Sequence, residues 1–198
     1  MNSRMSRAVV ATAVPMLMFT ATSGTSTAGQ TGDVPERFTA LAVNEFGSTL
    51  PGTVEIVVTR WSTLEKRDML IGALLDRGPE AYLEELRETP CVGYIRSPGN
   101  VEYDVHLAVE TRLEDGGRRI ELVTDRPISS REIASQARSI DYPFITIELR
   151  LNGDGEGQGT MRVAAKIRGN KELNLIEIEE LTSQRVQLLA VRSFWPAS

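Results

Sequence analysis

From Val101 to Leu113 the chain alternates between two kinds of side chain. Val101, Tyr103, Val105, Leu107, Val109, Thr111 and Leu113 share one parity, and Glu102, Asp104, His106, Ala108, Glu110 and Arg112 share the other. A period of two puts each set on its own face of an extended strand, whereas a helix would scatter them round its axis. A strand with one apolar face belongs in a half-buried antiparallel sheet. Asp115-Gly116-Gly117 then offers residues that tolerate positive φ, as a tight hairpin demands, and Arg119–Thr124 returns as the partner strand.

The same reading extends along the chain. Val54–Trp61 is rich in β-branched residues and reads as a strand. Val92–Arg96, Phe144–Leu151, Met161–Ile167, Leu173–Leu181 and Val186–Trp195 follow, which brings the expected number to about eight strands. Helical periodicity is confined to one region. Ser62 with Glu65 has the spacing of a capping box, and Leu64, Met69, Ile71, Leu74 and Leu75 make one apolar side. Gly78 stops that helix and Pro79 opens a second, which runs to Pro90. A short helix is also expected over residues 128–138. Grouped helices with short connections between strands define an α+β class. The expected architecture is a mainly antiparallel, curved or barrel-like sheet, with two adjacent helices near its start and a short helix mid-chain.

The N-terminus has the anatomy of a secretory signal peptide. Arg4 and Arg7 form a basic start, an apolar stretch runs from Ala8 to Thr22, and Ser26 and Ala28 stand at the −3 and −1 places before Gly29. The apolar stretch is shorter than the roughly 20 residues that span a bilayer and is broken by Pro15. The expected organisation is a signal peptide at 1–28, a flexible or weakly structured leader at 29–51, and one α+β domain at 52–198. Export to the periplasm or the extracellular space follows, without stable membrane insertion after cleavage. Cleavage removes two arginines and no acid, so the net charge moves from −5 to −7. An acidic balance of this kind argues against nucleic acid as a partner. One cysteine and one histidine exclude internal disulfides and multi-cysteine or multi-histidine metal centres, and no cofactor motif stands in the chain. Cys91, between Pro90 and an apolar run, reads as a small buried residue.

Three constellations are candidates for chemistry or binding. His106, with Asp104 two residues before it on the same strand face, has the composition of an oriented general base. Tyr103, Phe144 and Met161 would line an apolar ligand cavity if the sheet closes with all three inward. Asp154 and Glu156, in Asn152–Gly159, copy the start of a calcium loop, but Val163 stands where a bidentate glutamate is required, so no metal site is assigned.

Several segments together carry a resemblance: VEIVVTRWST, VGYIRSP, ELVTDRPI and SIDYPFITIELRLNGDGEGQG. Across residues 53–167 the chain resembles uncharacterised exported bacterial proteins in which a signal peptide precedes a single domain. The resemblance implies export and one domain; it implies no activity and no site residues. The functional expectation is an exported, non-enzymatic binding or accessory protein of the cell envelope. The alternatives are a carrier of a small apolar ligand inside a curved sheet and a hydrolase using His106 with Asp104.

Overall fold

The computed structural model of the chain describes residues 35–44, 49–96, 102–127, 140–173, 175–181 and 185–194. In chain order its elements are β1 (Glu36–Asn44), β2 (Thr49–Val58), α1 (Leu64–Arg77), α2 (Pro79–Glu88), β3 (Gly93–Arg96), β4 (Glu102–Val105), β5 (Leu107–Arg112), β6 (Arg118–Asp125), β7 (Phe144–Leu151), β8 (Glu156–Asn170), β9 (Leu175–Glu180) and β10 (Arg185–Phe194). Neighbouring strands run β4-β3-β2-β1-β10-β8-β7-β6-β5, every pair antiparallel, with β9 on the far part of β8.

The two ends of that order, β4 and β5, are consecutive in the chain and separated only by His106. The strand expected over 101–113 is therefore one segment with a bend. Its first half pairs with β3, placing Tyr103 opposite Ile95, and its second half pairs with β6, placing Ala108 opposite Leu122. One segment thus serves both edges of the sheet and curls it into a nearly closed barrel. At the join the Val92 amide donates to the Val105 carbonyl at 2.7 Å, the His106 amide donates to Val123 at 3.3 Å, and the Thr124 hydroxyl donates to the Asp104 carbonyl. The fold is α+β with the sheet dominant.

The bend corrects the assignment of faces. Tyr103 and Val105 pack into the barrel, but beyond His106 it is Ala108 that does so, while Leu107 and Val109 pack beneath the helices. The apolar parity of the sequence persists because the buried side itself changes at the bend. Two cores result. Inside the barrel, Phe38, Ile56, Ile120, Leu122, Ile147, Leu149 and Leu188 are almost wholly buried. Outside it, Leu70 and Leu74 of α1 and Tyr82 and Leu86 of α2 cover Leu107, Val109, Phe144, Ala165 and Ile167. Each large apolar side chain so buried stabilises the fold by about 1.5–3 kcal/mol before chain entropy is set against it.

Other expectations shift with the structure. Residues 36–44, expected within a weakly structured leader, form β1 between β2 and β10, with Phe38 and Ala42 fully buried. This strand and the division of 101–113 raise the strand count to ten among the described residues. The cap of α1 is Thr63, whose hydroxyl accepts from the Lys66 amide at 3.2 Å. Ser62 is used otherwise: its amide donates to the Ala108 carbonyl at 2.8 Å and its hydroxyl accepts from the Ala108 amide at 3.1 Å. That exchange ties the start of α1 to β5. The helix expected at 128–138 and the signal segment at 1–28 lie outside the described residues.

Cys91 is exposed, against the expectation of burial. Val92 takes the inward place in the step before β3, which turns the preceding side chain outward, and the Cys91 thiol donates to the Gly93 carbonyl at 2.9 Å. Titration of the native protein with an aromatic disulfide reagent is expected to consume Cys91 fully and at once. A thiol that reacts only after denaturation would contradict this placement.

Candidate functional site

His106 lies at the bend that closes the barrel, and its partners come from other elements. Its Nδ1 is 2.7 Å from the Thr89 carbonyl at the end of α2, and a carbonyl only accepts, so Nδ1 carries the proton. Its Nε2 faces Asp125 at 3.9 Å, and the other oxygen of that carboxylate accepts from Arg87 Nε at 3.0 Å. Asp104, the partner expected from sequence, is exposed, and its carbonyl is what the Thr124 hydroxyl engages. The bend is the reason: it breaks the regular two-residue spacing on which a same-face pair depends. The imidazole therefore joins the end of α2 to the barrel seam. Replacing His106 with Ala is expected to cost about 1 kcal/mol, the net worth of one hydrogen bond, while Asp104→Asn changes stability by less than about 0.5 kcal/mol. Urea denaturation of both variants checks the contrast.

Tyr103, Phe144 and Met161 do not converge. Tyr103 and Met161 pack with the barrel interior, whereas Phe144 points out of the barrel and meets Tyr82 edge-on, with ring centroids 5.5 Å apart at 71°. A register shift between Phe144 and Thr146 accompanies this change of side. Burial beside Phe144 pushes the Tyr82 hydroxyl well above its ordinary titration range, with the charge of Glu121 adding to the effect.

Asp154 and Glu156 are exposed in the turn between β7 and β8. The turn is built by Asn152, whose side-chain oxygen accepts from the amides of Asp154 at 3.0 Å and Glu156 at 2.9 Å, with Gly155 at φ +79°. Glu156 reaches Arg192 at 3.4 Å. A shallow open cleft of about 300 Å³ lies between this turn and β10, lined by Asn152, Glu156, Gly157, Ala190, Val191 and Arg192. Among the described residues, no group of three or more His, Cys, Asp or Glu is arranged to hold a metal ion.

The most concentrated polar arrangement is one that sequence reading did not single out. Glu36, at the first position of β1, has 0% exposure. Its carboxylate accepts two bonds from Arg118 of β6, at 2.6 and 3.1 Å, and one from the Ser193 hydroxyl of β10 at 2.8 Å. Arg118 also reaches Glu110 of β5 at 3.5 Å. Burial works against the charge of Arg118, yet the hydrogen bond and field of Glu36, joined by Glu110, hold its guanidinium above the ordinary range. The cluster links four strands from within the barrel. Parity is the signal that could have revealed it. Glu36 shares the parity of Phe38, Ala40 and Ala42, and Arg118 that of Ile120 and Leu122, so both charges stand on buried faces.

A second ionic knot joins β8, β9 and β10 at the end of the β8–β10 ladder away from the cleft. Glu180 accepts from Arg162 at 2.7 Å and from Arg185 at 2.6 and 2.8 Å. Burial pushes the Glu180 carboxyl upward, but the bonds from Arg185 and Arg162 outweigh it and hold the group below its ordinary value. A carboxyl depressed in the folded state contributes stability above its unfolded pKa of about 4.3, and that contribution disappears as pH falls through the folded value. The stability gap between the native protein and Glu180→Gln is therefore expected to be full above about pH 5 and to close in acid. Chemical denaturation across that range measures it, and a gap independent of pH would contradict the assignment.

No protein-family model matches the chain, and neither a curated protein nor a solved structure matches it.

Proposed function

We propose that this chain is an exported, non-enzymatic binding or accessory domain of the cell envelope, and that it meets its partner through the outer surface of its barrel. Export rests on the N-terminal pattern of basic start, apolar stretch and small residues before Gly29. The observation that carries the binding reading is the packed interior. Phe38, Ile56, Ile120, Ile147, Leu149 and Leu188 occupy the space that a carrier would keep for its ligand. The buried charges inside the barrel are matched to one another, and the imidazole is turned to a backbone carbonyl.

Recognition then falls to the outside. There Leu41 and Leu189 are direct cross-strand partners on β1 and β10, exposed by 45% and 40%, and Phe194 is exposed by 47%. The Arg37–Glu55 and Arg192–Glu156 pairs stand on the same strands and their neighbours. An apolar centre with a polar surround is the common anatomy of a recognition surface.

Photocrosslinking in cells that express the full chain tests the reading, with a photoreactive residue at Leu189 and, as a control, at Glu84 on the exposed side of α2. The expected result is an adduct with a defined envelope component from position 189 and none from 84, on exported chain that begins at Gly29. Retention of the first 28 residues in a cytoplasmic product would overturn export. A stoichiometric apolar molecule in the purified protein would overturn the binding reading in favour of a carrier.

A further inference from the structure

We draw no further inference here: the strongest candidate, the exposed Leu41–Leu189 pair with Phe194 on the outer face of β1 and β10, belongs to the surface already assigned above, and nothing in the structure shows what covers it.

Discussion

Arg118→Ala is expected to lower the free energy of unfolding by about 3–5 kcal/mol. In the native protein the Glu36 carboxylate has 0% exposure, and the substitution leaves, among the described residues, the Ser193 hydroxyl as its one donor. A buried charge stripped of its partner carries a desolvation cost that one neutral hydrogen bond does not offset. Domains of this kind are stable by about 5–15 kcal/mol in all, so the variant loses a large share of its margin. Urea denaturation followed by circular dichroism measures the loss. The paired replacement Glu36→Leu with Arg118→Met is expected to recover most of it, because neither charge then remains buried alone. A single variant that loses less than about 1 kcal/mol would mean that the cluster is solvated and does not tie the strands from within.

Gly157→Ala is expected to be damaging on a similar scale, at about 3 kcal/mol or more. Gly157 stands opposite Leu151 on β7 and Val191 on β10, where the ladder with β10 shifts register between Leu188 and Val191. A Cβ at Gly157 would lie 1.9 Å from the Arg150 carbonyl oxygen and 2.9 Å from its carbon. Backbone, not a movable side-chain tip, blocks that space, so the methyl group is accommodated only by parting β7 from β8. Glycine at such a place marks a tight corner where a sheet turns on itself. Within the β10 bulge itself, Ala190 holds φ +49°, so the corner strains β10. Gly72 provides the contrast: it lies inside α1, and a Cβ there meets nothing within 4 Å. Gly72→Ala is expected to stabilise the protein by about 0.5–1 kcal/mol through helix propensity. Thermal unfolding of the two alanine variants should therefore move in opposite directions. An unchanged Gly157→Ala would contradict the close β7–β8 approach.

Much of the fold was legible because its cause is local. Alternation in 144–151 marks a strand whose inward residues are those of the barrel core, the hairpin signal before Arg119–Thr124 marks its neighbour, and Gly78-Pro79 divides the two helices where the structure does. What escaped depends on distant partners. Glu36–Asn44 has mixed local signals, yet it becomes a central strand because β2 and β10 close on both its edges. Ser62 satisfies the pattern of a helix cap, but Ala108, 46 residues away, claims its hydroxyl, and Thr63 caps instead. The bend at His106 leaves no mark in the alternation, since burial changes sides exactly where the strand does. That bend also decides the candidate sites. It separates His106 from Asp104, sets Asp125 before the imidazole, and brings Glu110 round to Arg118.

The central claim is that one segment, bent at His106, closes the sheet around a packed interior. Interstrand nuclear Overhauser contacts of Tyr103 test it most directly. The bent segment predicts contacts between the backbone protons of Tyr103 and Ile95, together with those of Ala108 and Leu122 from the same segment. A straight hairpin continuing the β5–β6 register would instead set Tyr103 opposite Pro127 and leave Ile95 without it. Contacts of the second kind would open the barrel and remove the packed interior on which the proposed outer-surface function rests.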